Sequence, residues 1–274
     1  MGIRDWGLGT GDGLKVLIRG GGELASGVAH RLHQSHFRVC LTEAPHPLAV
    51  RRGVAFCEAV YDGEKVIEGV TARLIASPDK VKETWQAGAI PLIIDPENKV
   101  RNIIKPDVVV DAIIAKKNLG TKITDAPLVI ALGPGFTAGK DVHVVIETNR
   151  GHNLGRIILH GEAEPNTGMP GAIGGFARER VWHAPAGGLF TTQKKIGDHV
   201  AAGEVVAFID GIPLKTEIGG IIRGLLRDNT EVHKGMKLGD IDPRGIEDYC
   251  YTISDKSRTI SGGVLEAILN RFNT

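Results

Sequence analysis

The chain has 274 residues, 42% of them hydrophobic and 24% charged, with 33 Lys plus Arg against 32 Asp plus Glu. This composition excludes a disordered chain, and a net charge of +1 gives no support to a nucleic-acid stripe or a polybasic membrane anchor. Residues 1–14 are glycine-rich and lack a basic stretch followed by an apolar one, so they read as a flexible tail and not a signal peptide. Lys15–Arg19 is a short apolar strand, followed by Gly20, Gly21 and Gly22. Leu24, Val28 and Leu32 then recur at helical spacing. The order strand, glycine turn, helix fits G-x-G-x-x-A with Gly20, Gly22 and Ala25. In such a turn the glycines let backbone approach a phosphate, and the helix N-terminus offers free N–H groups to it. Glu23 suits the helix dipole but repels a phosphate.

A second strand over 37–41 ends at Thr42 and Glu43. Glu43 lies 23 residues after Gly20, near the offset at which an acid meets a ribose hydroxyl. Arg51 and Arg52 follow as a pair that reads as a solvated face, with phosphate binding as the alternative. Further strands are expected over 72–76, 91–95 and 107–114, with a helix opening at Ser77 and Pro78. Five strands with interleaved helices predict a Rossmann-like, parallel, doubly wound α/β domain over residues 15–115. Ligands of such a sheet sit at the carboxyl ends of its strands, where Lys116 and Lys117 also lie. The candidate cofactor-binding residues are therefore Gly20, Gly21, Gly22, Glu23, Glu43, Lys116 and Lys117.

Residues 116–180 form a β-rich connecting region in this reading. The run from Gly133 to Lys140 imitates a P-loop, but Pro134 and Asp141 break the motif and 142–147 alternates as a strand. His143, Glu147, His152 and His160 match no compact metal motif, so no metal site is expected. Residues 166–175 are rich in glycine and read as a linker or lid. Between 181 and 244 the chain repeats without gaps at an offset of 32: Gly187 and Gly188 meet Gly219 and Gly220, Val200 meets Val232, and Gly203 meets Gly235. Units this short must interlock to bury a core. The expected result is a β-rich barrel-sandwich hybrid of the biotinyl/lipoyl-like kind, with Lys215 an ordinary strand residue and not a carrier lysine. A C-terminal helical segment over 245–274 carries Val264, Leu265, Ile268, Leu269 and Phe272 on one stripe, as packing or as a contact of a homo-oligomer. Cys40, Cys57 and Cys250 are scattered, which suits buried thiols in a reducing cytoplasm.

Several contiguous stretches carry a family likeness: IRGGGELASGVAHRL at 18–32, TEAPHPLAVRRGVAFCEAVYDG at 42–63, DAIIAKKNLGT at 111–121, GPGFTAGKDVHVVIETNRGHNLG at 133–155 and GDIDPR at 239–244. Together they resemble the selenium-dependent molybdenum hydroxylase accessory family from about Lys15 to Phe272. The resemblance implies an accessory or maturation factor that binds a molybdopterin-type cofactor or a nucleotide. Its partners would be a molybdenum hydroxylase or other maturation proteins, with no nucleic acid and no membrane. It carries over no catalytic residue and leaves catalysis open. The alternative is an NAD(P)-dependent oxidoreductase using the same glycine turn, though no Tyr-x-x-x-Lys or other hydride-transfer constellation is present.

Overall fold

The computed structural model describes residues 13–273, so most of the expected tail lies outside the described residues. The strands in chain order are β1 (Lys15–Arg19), β2 (Arg38–Glu43), β3 (Glu64–Ile67), β4 (Val70–Leu74), β5 (Ile90–Ile94), β6 (Val108–Asp111) and β7 (Leu128–Leu132). They continue as β8 (Thr137–Ala138), β9 (Val144–Ile146), β10 (Ile157–Ile158) and β11 (Gly161–Glu162). Nine of them build one sheet in the order β10-β9-β7-β6-β1-β2-β5-β4-β3, while β8 pairs with β11.

Strands buried on both faces explain the near-continuous apolar runs. Val16 and Ile18 of β1 point to one face, where the helix Glu23–Gln34 and the C-terminal helix Asp255–Phe272 cover them. Leu17 points to the other, with Val109, Val129 and Phe136. These two helices meet closely: a Cβ on Gly27 would press against Ser257, and Arg31 Nε donates to Ser261 Oγ at 2.7 Å. The C-terminal helix starts earlier than its apolar stripe suggests, because Ser254 caps it by accepting from Ser257 N–H.

The expected Rossmann-like, doubly wound class is corrected by this sheet. It is mixed, with antiparallel pairs β3–β4 and β9–β10 at its two edges. It also draws β7, β9 and β10 from beyond residue 115. Its second face is crossed by short helices such as Val81–Gln86 and Arg101–Ile104, where a doubly wound sheet would carry a full helical layer.

The rest of the strands are β12 (Val181–His183), β13 (Gly188–Thr191), β14 (His199–Val200), β15 (Val205–Ile209), β16 (Ile212–Lys215), β17 (Gly220–Leu225), β18 (Thr230–Val232) and β19 (Lys237–Asp242). They form two four-stranded sheets, β12-β19-β17-β14 and β16-β15-β13-β18, each antiparallel throughout. Adding 32 to the residue numbers turns β12 into β16, β13 into β17, β14 into β18 and β15 into β19. Backbone geometry follows the repeat: φ is 150° at Gly188 and 151° at Gly220, and 80° at Gly203 and 82° at Gly235.

These sheets do not stand apart as an independent carrier-like domain. Leu225 N–H donates to Val50 O at 2.8 Å and Arg52 Nε donates to Leu225 O at 2.7 Å. Gly53 has no room for a side chain against Cys250 O, and Arg227 reaches Glu58 and Asp62. The expected pairing of a Rossmann-like domain with a biotinyl/lipoyl-like one is thus replaced by one large mixed sheet with two small antiparallel sheets docked on the segment after β2.

Candidate functional site: a cationic cleft

The glycine turn forms where the sequence puts it. Gly20 (φ 97°) closes β1 against the backbone of Ala112, and a Cβ there would meet Ala112 O at 3.0 Å. Gly21 packs on Cys57, whose N–H donates to Gly21 O at 2.8 Å. Gly22 is the residue before the first helix, and a Cβ on it would meet nothing within 4 Å. Glu43 changes the chemistry of this turn. Its Oε2 accepts from Gly21 N–H at 2.7 Å and its Oε1 from Ala44 N–H at 2.8 Å. Burial raises the Glu43 carboxyl above its ordinary range, and these two N–H groups partly offset that. A carboxylate of the chain thus occupies the Gly21 N–H expected to face a phosphate. Gly20, Gly21, Gly22 and Glu43 do come together. Glu23 stands beside them and also lines a second, larger cleft next to the turn; Lys116 lies on that cleft alone, and Lys117 is exposed and does not line it.

That cleft holds about 480 Å³. It lies between the carboxyl edge of the large sheet, the sheet containing β12, β17 and β19, the strap 166–171 and the start of the C-terminal helix. Seven basic side chains line it, Arg51, Lys116, Arg150, Arg180, Arg223, Lys237 and Lys256, against the acidic Glu23 and Asp240. Arg51 is only 5% exposed. Its Nη2 donates to Tyr249 O at 3.2 Å and stands 4.0 Å from Glu23 Oε1, while Nε and Nη1 have no hydrogen-bond partner among the described residues. Arg223 is also buried, 3.5 Å from Asp242 Oδ2, with its Nε unpartnered. Burial would raise the Asp242 carboxyl, but hydrogen bonds from Arg244 and the charge of Arg223 hold it below the usual range.

The remaining groups shape the walls. Arg180 donates from Nε and Nη2 to Gly171 O at 3.2 and 3.0 Å, which ties the glycine-rich strap to β12, and its Nη1 lies 3.3 Å from Asp240 Oδ2. Lys237 Nζ reaches the same oxygen at 3.2 Å, while Asp240 Oδ1 is buried and unpartnered. Arg150 grips Asp255 with two hydrogen bonds of 2.7 and 3.1 Å, which hold that carboxyl down at about 2. Burial, then the charges of Arg150 and Lys237, push the Lys256 amine below the ordinary lysine range, with Glu23 and Glu147 pulling the other way.

The thiols offer no ready nucleophile. All three are buried; burial pushes Cys40 up to about 12, Cys250 up to about 11 and Cys57 well above its ordinary range. Among the described residues no three or more His, Cys, Asp or Glu side chains gather in a group able to hold a metal ion, and no helix is long and apolar enough to cross a membrane.

Sequence reasoning singled out Lys116, Glu23, Arg51 and the strap, but it placed Arg51 on a solvated face. Arg150, Arg180, Arg223, Lys237 and Lys256 carry no spacing signal, since they are scattered over more than a hundred residues.

No protein-family model matches the chain. It is 50% identical over 254 residues to the uncharacterized protein YqeB of Escherichia coli K12, a match covering 93% of this chain and 47% of that protein. The chain therefore spans about half the length of this curated relative, whose description names no activity. Among solved structures, similarity extends to an aspartoacylase family protein of Mesorhizobium loti (11% identity, 84% and 85% of the two chains, TM-score 0.27). It extends also to a succinylglutamate desuccinylase of Silicibacter (13%, 85% of each, TM-score 0.25) and to the ectoine utilization protein DoeB of Ruegeria pomeroyi (13%, 84% and 85%, TM-score 0.25). Likeness this slight lends the chain neither their fold nor their activity.

None of these descriptions is of a molybdenum hydroxylase accessory factor, a nicotinamide oxidoreductase or a biotinyl carrier. The expected maturation role, its molybdopterin-type or nucleotide ligand and the NAD(P) alternative thus find no support among these proteins. The geometry of the turn corrects the dinucleotide reading itself, because Glu43 occupies the Gly21 N–H that a pyrophosphate would need.

Proposed function

We propose that this chain binds a small, multiply charged anion, such as a phosphate ester or a polycarboxylate, in the cleft between the large sheet and the β12–β19 sheet. One observation carries the reading: a guanidinium that is 5% exposed lines this cleft with two of its nitrogens unpartnered. Buried donors without partners cost free energy, and the nearest carboxylate, Glu23, stands 4.0 Å from Arg51 Nη2 and satisfies neither of these nitrogens. An anion with two oxygens satisfies the planar fork of a guanidinium in a way a single carbonyl cannot. The excess of basic over acidic side chains on the walls supplies the complementary field.

The experiment is calorimetric titration of the purified chain with pyrophosphate and with citrate. At least one should bind with one-to-one stoichiometry, and affinity should fall as salt rises, because part of the attraction is long-range and screened. Absence of binding by both anions at low salt, or binding unchanged in Arg51→Met, refutes the proposal.

A further inference from the structure

The cationic cleft does not end at Glu23. A second hollow of about 280 Å³ opens over the glycine turn, and Glu23 stands in the walls of both. Two chain segments also run from one to the other. Ala49 lines the hollow and Arg51 the cleft; Ile114 lines the hollow and Lys116 the cleft. The character of the lining changes across this boundary. Leu24, Pro47, Leu48, Ile113 and Ile114 give the hollow an apolar wall, and its ionisable side chains are Glu23, Glu43 and the thiol of Cys57. Both Glu43 oxygens are already engaged by N–H groups, and the two carboxylates disfavour an anion there. Burial keeps the Cys57 thiol protonated, so it adds no charge.

Two independent features point to a body that fits this hollow. Leu48, Ile113 and Ile114 are 52%, 36% and 37% exposed, an apolar grouping at the edge of an otherwise buried sheet. Ile114 (φ 60°) and Lys116 (φ 59°) are both in the left-handed region, which a β-branched residue rarely adopts. This turn is held from behind: Gly135 packs on the backbone of Lys116 and Lys117, and a Cβ there would meet Lys117 N at 2.6 Å. Strain kept in place by packing, at the junction of two clefts, is characteristic of a ligand clamp.

We infer that the ligand is amphiphilic, with its anionic group against Arg51 in the cationic cleft and an uncharged apolar or planar body over the glycine turn. This rests on the anion-binding reading and adds the class of molecule. It also inverts the arrangement expected from the sequence, in which the phosphate lies on the turn.

The test compares inorganic phosphate, 1-naphthyl phosphate and 1-naphthol by calorimetry on the full chain. The naphthyl ester should bind about tenfold tighter than phosphate or better, since burial of one ring face is favourable on that scale. Leu48→Asn should remove most of that gain and leave phosphate affinity within about twofold, whereas Arg51→Met should weaken phosphate and ester alike. Ile113→Asn is the second variant, used if thermal melting shows Leu48→Asn to be unfolded. Phosphate binding with no gain for the ester overturns the amphiphilic ligand and leaves the anion site standing. A gain that survives in the folded apolar-to-Asn variant places the ring elsewhere and overturns it as well. Failure of phosphate and ester alike to bind a protein that binds pyrophosphate or citrate overturns this inference and leaves the anion reading standing; failure of all four removes both.

Discussion

Arg51→Met should move binding and stability in opposite directions. Among the described residues Arg51 makes one hydrogen bond, to Tyr249 O, stands 4.0 Å from Glu23, and leaves two buried N–H-bearing nitrogens unpartnered. Methionine keeps the length and removes the charge. Loss of the Tyr249 bond costs about 1 kcal/mol, and removal of unsatisfied buried donors returns about 1–3 kcal/mol. The free protein should therefore be unchanged or more stable by up to about 2 kcal/mol, which raises the melting temperature by a few degrees at this size. Against a bound anion, Arg51 contributes a charge-assisted hydrogen bond of about 1.5–3 kcal/mol. At about 1.4 kcal/mol per tenfold, the variant should bind pyrophosphate roughly 10- to 150-fold more weakly. Differential scanning calorimetry and isothermal titration on the same preparations give both numbers. A variant that melts well below wild type yet binds the anion equally would make Arg51 a strut and would refute the reasoning.

Other expectations follow from neighbouring groups. Since the Lys256 amine lies below the ordinary lysine range, an arriving anion should raise it, so binding should take up protons where the free amine is partly neutral. Affinity should then fall as pH rises through the range of the free amine, measured in buffers of different ionisation heat; Lys256→Met should abolish the proton uptake. A side chain at Gly171 would press on Arg150, so Gly171→Ala should weaken anion binding several-fold while stability falls by less than about 1 kcal/mol. Arg227 bonds Glu58 at 2.5 Å and stacks 4.1 Å over the ring of Tyr61, so Arg227→Ala leaves a buried carboxylate with only Arg52 nearby, at 3.8 Å. Chemical denaturation should show a loss of about 1–3 kcal/mol, and an unchanged midpoint would contradict the pairing described.

The sequence made part of this legible. The apolar runs of β1, β2, β5 and β6 stand out because both faces are buried, and the turn after β1 stands out because Gly20 must meet Ala112. The repeat at offset 32 is readable because matched glycines take matched backbone angles. Pairing partners were harder to see. β3 and β10 are four and two residues long, too short for periodicity to announce them, and they are the strands that run against the rest of the sheet and make it mixed. The cleft was hidden for another reason. Arg51 and Arg52 look alike in sequence, yet one is buried in the cleft and the other donates to the backbone of Leu225. Only the docking of β17 on the segment after β2 separates their roles. Lys237 and Lys256 enter the cleft from a strand and a helix that share no motif.

The 32-residue repeat also divides labour between its copies. Each small sheet takes strands from both, since β12 and β14 pair with β17 and β19, and neither copy can complete a sheet by itself. Yet Arg223, Lys237 and Asp240 on the cleft belong to the second copy. Their counterparts in the first are Thr191, Val205 and Phe208, with no charge among them. The strand pairing therefore fixes the backbone of both copies alike and leaves their outward side chains free to differ. Of the seven basic side chains on the cleft, Arg223 and Lys237 come from the second copy and none from 181–212, so a symmetric backbone carries an asymmetric charge.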